Sequence, residues 1–210
     1  MIFYIIRHGE STYNSEGRIQ GQTDIPLSSL GMQQAEAIAA ALAKVPIEAI
    51  FCSPLQRAYQ TATPLAQRLG LTLQTDDRLK EINAGIFQGL PWSEIEAKYP
   101  NEAVPWRNQV VDFVIPNGES RGGLMVRGLA AFEAIREKPY RTVAVVAHGG
   151  ILSASFKALL KVPAETNPFS LYNGSISRLV WDQRIKLMTL NQVEHLCAAG
   201  LARDDETGNL

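Results

Sequence analysis

The chain holds three histidines, and two of them share a setting. His8 stands in Arg7-His8-Gly9-Glu10, directly after the apolar run Ile2-Phe3-Tyr4-Ile5-Ile6. His148 stands in His148-Gly149-Gly150, directly after a β-branched run that begins at Thr142. Near-continuous apolar runs of this length read as strands buried on both faces. Glycine follows each histidine, and a residue without Cβ lets backbone amides approach an anion closely. Arg7 adjoins His8, and Arg57 falls in the first turns of a helix expected after Ser53-Pro54. Guanidinium groups grip phosphate oxygens in pairs, with a planar fork that an ammonium lacks. A neutral imidazole is a competent nucleophile, and neighbouring arginines oppose its protonation. Two arginines, two histidines and glycine turns describe a pocket for a tetrahedral dianion. A helix expected to begin near Gly150 would aim its N-terminal amides at the same place.

These groups converge only if the segments carrying them lie side by side. Elements of two periods alternate along the chain. Residues 2–6 read as a strand. Residues 29–45 carry Leu30, Ala35, Ile38, Ala39 and Leu42 at helical spacing, with Ser28 as N-cap. Residues 47–52 read as a second buried strand. Ser53-Pro54 then supplies an N-cap and a first-turn proline for a helix that stops at Gly70. A short strand at 71–74, a helix at 122–138, a strand at 142–147 and a helix at 150–160 follow. Residues 176–181 and 185–190 form an expected hairpin around Asp182-Gln183-Arg184. This alternation predicts an α/β fold: a three-layer sandwich with a mostly parallel central sheet flanked by helices. Ligands of such sheets bind beyond the carboxyl ends of the strands, at a topological switch point. That rule selects Arg7-His8-Gly9, the stretch from Ser53 to Arg57, and His148-Gly149-Gly150. Residues 76–120 are rich in Gly and Pro, with one short helix expected at 93–99. They read as a lid insertion within a single domain spanning 1–210.

The totals restrict the function class. With 210 residues, 46% of them hydrophobic, the chain can bury a substantial core. Lys and Arg number 20 against 21 Asp and Glu, a net charge of -1. Such a balance gives no broad attraction to nucleic acid or an anionic membrane, so an anion site must be local. The run at 2–6 is too short to span a bilayer and no basic segment stands before it, so a cytoplasmic location is expected. Cys52 and Cys197 lie in apolar contexts and read as buried small hydrophobes in a reducing compartment. No ligand cluster suggests a metal, and no cofactor is expected. Asp76-Asp77 and Asp204-Asp205-Glu206 read as solvated surface. The apolar face of the final hairpin offers a surface to a second subunit or to the chain's own helices, and a homodimer is the expectation.

In the order of its motifs, the chain resembles the histidine phosphatase superfamily, the phosphoglycerate mutase-like group. The resemblance rests on Arg7-His8-Gly9-Glu10-Ser11 with Asn14, Gln20-Gly21 with Thr23, and Pro26-Leu27-Ser28 with Gly31. It continues through Ser53-Pro54-Leu55, Arg57-Ala58 and Gln60-Thr61-Ala62, then Glu81, Gly85 and Gly89, then Gly118-Glu119-Ser120 and His148-Gly149-Gly150. It implies that His8 attacks phosphorus and becomes phosphohistidine. Arg7, Arg57 and His148 would hold the phosphoryl oxygens. Asn14 would contact the same group, with Gln20, Gly21 and Gly149 in the binding set. Glu81, in Leu79-Lys80-Glu81-Ile82, matches the family's acid position and would protonate the leaving oxygen. The family often carries an aromatic-Glu-Gly trio a few residues on. Here it is Phe87-Gln88-Gly89, which leaves Glu81 as the candidate acid. The short chain resembles the phosphatase branch, acting on a small phosphate ester. A phosphoglycerate mutase, an α-ribazole or sugar phosphate phosphatase and a non-catalytic phospho-ligand binding module stand as alternatives. His195, after the final hairpin, matches a C-terminal histidine segment that closes over substrate in the family's phosphoserine phosphatases. Phosphoserine is therefore the leading expected substrate, with Arg121 and Trp106 lining the lid.

Overall fold

The computed structural model describes residues 1–202. Four parallel strands are β1 (Ile2–Arg7), β2 (Ala49–Cys52), β3 (Leu73–Thr75) and β4 (Thr142–Ala147). The antiparallel strands β5 (Ile176–Trp181) and β6 (Ile185–Gln192) extend the same sheet as a hairpin. The strand order is β3-β2-β4-β1-β5-β6. Among the described residues the α-helices are α1 (Thr12–Ser15), α2 (Ser29–Leu42), α3 (Gln56–Leu69), α4 (Trp92–Lys98), α5 (Pro100–Arg107), α6 (Arg121–Arg136), α7 (Gly149–Leu160) and α8 (Glu194–Ala198).

Successive strand residues point to opposite faces, and both faces are apolar. Phe3, Ile5, Ala49, Phe51, Val143 and Val145 enter one core, where Leu124, Phe132 and Ile135 of α6 and Ile151, Leu152 and Phe156 of α7 cover them. Ile6, Ile50, Cys52, Ala144 and Val146 enter the other, covered by Ile38 and Leu42 of α2 and Ala58, Ala62 and Leu65 of α3. The result is the expected three-layer α/β sandwich. The continuous apolar runs of β1 and β4 are explained by this two-sided burial.

The structure refines several boundaries. Ser28 caps α2, its Oγ accepting the Gly31 amide at 3.0 Å, but the helix ends at Leu42. Ser53 does not cap α3. Leu55 is the extended residue before that helix, and Ser53 Oγ instead accepts the Leu55 amide at 3.3 Å, bracing the turn ahead of it. Residues 76–120 are more ordered than expected. They hold α5 as well as α4, with Pro100 at the first position of α5, where an N–H has no helical acceptor to lose. Leu79, Ile82, Phe87, Ile95, Trp106 and Ile115 bury into the core beneath α6 and α7. Cys52 is buried, but Cys197 is exposed, because α8 buries only Leu196. Asp204-Asp205-Glu206 lie outside the described residues. Among those described, no helix is long and apolar enough to cross a membrane.

Register places the site. β4 lies between β1 and β2, with Arg7 opposite Ala147 and Cys52 opposite Val146. The ladder runs one residue further, through His8 N to Ala147 O (2.9 Å) and Ser53 N to Val146 O (3.0 Å). The residues that leave these three strand ends are therefore neighbours.

Candidate active site

His8, Arg7, Arg57, Asn14, Gln20, Gly21 and Glu81 line one cleft of about 380 Å³. The His8 ring is 2% exposed. Its Nδ1 lies 2.6 Å from the Gly9 carbonyl, a partner that can only accept. Nδ1 therefore carries the proton, and Nε2 keeps its lone pair. The His148 ring packs against that of His8, with centroids 5.1 Å apart. His148 is fully buried, and neither of its ring nitrogens has a hydrogen-bond partner.

Arg57 has no exposed surface, and its donors go to backbone carbonyls. Nη1 donates to Thr23 O (2.9 Å) and Nη2 to Gly21 O (2.8 Å). The left-handed backbone of Gly21 (φ 54°) turns that carbonyl toward the guanidinium. Arg7 Nη1 donates to the Leu171 carbonyl. Burial lowers both arginines to about 10, which leaves them cationic under neutral conditions. Burial, with the two arginines behind it, pushes His8 well below its ordinary value of 6.5. His148 falls well below it for the same reasons, and His8 adds to the effect. Two neutral imidazoles thus face two charged guanidiniums.

The loop around His8 is tied from three directions. Thr61 Oγ1 accepts the Gly9 amide (3.0 Å) and donates to Arg57 O (2.7 Å), which joins α3 to the loop. Gly31 packs so closely that a Cβ there would lie 1.9 Å from Glu10 O. Asn173 Nδ2 donates to His8 O (3.0 Å) and reaches Asn14 Oδ1 (3.3 Å), while the Gly174 amide donates to Arg7 O and His8 O. Asn173 carries no motif in the sequence reading. Its only signal is the turn-forming Asn-Gly pair. Asn14 Oδ1 also accepts the Ser11 amide (3.1 Å), so its NH₂ remains to donate.

Glu81 is held by backbone amides. Oε1 accepts Ile82 N (2.8 Å) and Ile151 N (2.9 Å), and Oε2 accepts Gly150 N (2.9 Å). The carboxylate thus sits on the N-terminus of α7, where the helix dipole favours negative charge. Arg127 fixes the segment behind it by donating to Arg78 O, Lys80 O and Glu81 O and by pairing with Glu119 at 2.5 Å.

Beyond Glu81 the cleft is walled by Tyr13, Trp92, Trp106, Arg18, Arg107, Gln109 and Arg121. Arg121 and Trp106, expected to line a lid, are on this wall of the cleft. His195 does not join them. Its Nε2 bonds Gly174 O at 3.0 Å, behind the His8 loop, and burial lowers its pKa. The short α8 turns it inward against that loop instead of over the cleft. Gly149 opens α7. Among the described residues no three His, Cys, Asp or Glu side chains gather as a metal cage requires.

Comparison with known proteins gives this geometry a family. Glucosyl-3-phosphoglycerate phosphatase of Mycobacterium tuberculosis is 38% identical over 188 residues, 85% of this chain and 82% of the relative. A Yersinia pestis protein named as a phosphoglycerate mutase, GpmB, is 37% identical over 186 residues, 86% of this chain and 85% of that one. The solved structure of a phosphoserine phosphatase mutant from Entamoeba histolytica, in complex with phosphoserine, matches with a TM-score of 0.84. It is 26% identical and covers 93% of this chain and 98% of its own. The model of the histidine phosphatase superfamily, branch 1, matches residues 3–192. The chain belongs to the histidine phosphatase superfamily.

Proposed function

We propose that this phosphoric monoester hydrolase works without a metal, through a phosphohistidine on His8, on a small phosphorylated metabolite. The observation that carries the reading is the His8 ring. Its Nδ1 proton is given to Gly9 O, so the Nε2 lone pair faces a cleft flanked by Arg7 and Arg57. Nε2 attacks phosphorus while the ester P–O bond breaks, and Glu81 protonates the leaving oxygen. Water then attacks phosphorus, the P–N bond breaks and Glu81 takes the water's proton. The covalent intermediate divides one displacement into two easier ones. Arg7, Arg57 and the single N–H of the neutral His148 ring hold the phosphoryl oxygens, a task a metal ion performs elsewhere. Asn14, Gln20, Gly21 and Gly149 complete the binding set.

Phosphoserine stays the leading substrate. The expectation draws on His195, and with His195 bonded to Gly174 it rests instead on the Entamoeba relative that holds phosphoserine. Glucosyl-3-phosphoglycerate joins it as a candidate through the mycobacterial relative. A phosphoglycerate mutase is the second reading, favoured by the similarity to GpmB.

The test is phosphate release from a panel of esters in excess chelator. Activity that vanishes with chelator refutes the metal-free route. An acid-labile, base-stable phosphoenzyme that persists in His8→Ala refutes the nucleophile. Isomerisation of 3-phosphoglycerate without net phosphate release favours the mutase.

A further inference from the structure

Arg121 is buried to 8% exposure at the first position of α6. Its guanidinium lies 3.6 Å over the Trp106 ring, and Nη2 donates to Trp106 O at 3.1 Å. Nε has no hydrogen-bond partner. The other arginines of the outer cleft, Arg18 and Arg107, are ion-paired with Glu16 and Glu96. Arg121 has no ion pair among the described residues, and burial alone lowers its pKa to about 10, with no carboxylate raising it. The nearby buried cation, Lys157, shares a small cavity of about 20 Å³ with Arg121 and adds positive potential. Burying a charge without a partner is costly, so a missing anion would complete this wall.

A second unmet group sits beside it. Gln109 lines the same cleft, and its backbone N donates to the Trp106 carbonyl that Arg121 also uses (3.1 Å). Gln109 adopts the left-handed conformation (φ 59°), and its Oε1 is buried without a partner. Gln109 N and Arg121 Nη2 thus meet at one carbonyl, and each of these cleft-lining side chains carries a buried polar atom without a partner.

We propose that Arg121 and Gln109 form a second subsite that reads a carboxylate on the phosphate ester, together with a hydroxyl or ammonium donor on a nearby atom. The proposal rests on the phosphatase reading and names its substrate class: phosphorylated hydroxy or amino acids and their derivatives. Charge balance favours a carboxylate over a second phosphate. The far end of the cleft sets two arginines against a dianion, whereas on this wall Arg121 is the one lining arginine without an ion pair among the described residues. The planar fork of Arg121, stiffened by the indole, matches a planar carboxylate edge.

The test compares ester pairs that differ only in the carboxylate, phosphoserine with phosphoethanolamine and 3-phosphoglycerate with glycerol phosphate. The wild-type protein, Arg121→Gln and Arg121→Lys are assayed in parallel, with p-nitrophenyl phosphate as reference. The wild type should prefer the carboxylate partner by about 10- to 100-fold in kcat/KM, the worth of a charge-assisted hydrogen-bonded pair. Arg121→Gln should bring that ratio toward one, mainly through KM, and Arg121→Lys should fall between. A wild-type ratio near one overturns the subsite. So does an equal loss on all esters in Arg121→Gln, which would mark Arg121 as a strut for α5. Calorimetric binding of the same pairs to His8→Ala separates this from the phosphatase reading. Carboxylate-dependent binding without turnover by the wild type refutes hydrolysis alone, and carboxylate-independent binding refutes the subsite alone.

Discussion

Glu81→Gln separates the two tasks that the geometry gives one carboxylate. Oε1 can keep its bonds from Ile82 N and Ile151 N, but the new NH₂ meets the Gly150 N–H as donor against donor. Losing one charge-assisted hydrogen bond costs about 1.5–3 kcal/mol. Losing the negative charge at the N-terminus of α7 adds about 0.3–1 kcal/mol. Stability should therefore fall by roughly 2–4 kcal/mol, read from urea unfolding. Catalysis should fall selectively. General acid help contributes about 10²–10⁴-fold for an alkoxide leaving group. It contributes little for p-nitrophenolate, which departs without a proton. Phosphate affinity should move the other way, because Glu81 offsets Arg7 and, with Asp24, Arg57. A charge roughly 6 Å from a dianion repels it by about 1.4 kcal/mol even at the dielectric of water, so inorganic phosphate should inhibit about tenfold more tightly. Equal losses of kcat/KM, which reports formation of the phosphoenzyme and not its hydrolysis, on alkyl and aryl esters would refute the proton-transfer role. Weaker phosphate inhibition would refute the electrostatic argument.

Other consequences are sharp enough to measure. Gly31→Ala puts a Cβ 1.9 Å from Glu10 O, backbone against backbone, so expression should yield little folded protein; a native-like melting curve would contradict the close approach. His8 and His148 are held well below 6.5 in the fold, while their ordinary value applies to the unfolded chain. The unfolded state therefore takes protons first. Stability present above 6.5 is lost below it, by about 1.4 kcal/mol per histidine per pH unit. Urea midpoints that stay level through this range would argue against two buried neutral imidazoles. Burial raises the Cys52 thiol to about 12 and Cys197 is exposed. A disulfide reagent should titrate one thiol in the folded protein and both in urea, and rapid reaction of both without denaturant would be the contrary result.

The parts of the site that were legible in the sequence are those set by local rules. A histidine that ends a buried strand must emerge at the sheet's edge, and parallel pairing aligned β1 with β4 without further information. Ser28 capped its helix because a hydroxyl ahead of an apolar period has one obvious use. Ser53 did not, since the hydroxyl bonded within the turn instead. The second helix of 76–120 stayed hidden because Pro100 reads as a breaker until it is seen to start α5. Contacts across the chain were invisible. Asn173 reaches His8 from 165 positions away, and nothing in its neighbours foretells the target. His195 matched a family segment in sequence, yet α8 aims it at Gly174. The orphan state of Arg121 depends on which acids fail to come near it, a property no motif encodes.

The way the arginines are held explains why the phosphoryl pocket is ready for an anion. An ion-paired arginine must give up its partner before it can bind phosphate. Arg57 is instead satisfied by the carbonyls of Thr23 and Gly21, and Arg7 Nη1 by that of Leu171. Carbonyls orient the guanidinium and meet its donors, but they leave its positive charge uncancelled. Glu81 is the acid that lines the cleft with these groups, and its oxygens accept the amides of Ile82, Gly150 and Ile151. Negative charge is thereby fixed on a helix end, from which it offsets part of the cationic field. Donors fixed in this way require little reorganisation when the transition state forms, which is where electrostatic catalysis draws its advantage. The stability lost to burying two cations is the physical counterpart of that readiness, and burial is the first cause of both the depressed arginine and the depressed histidine pKa values.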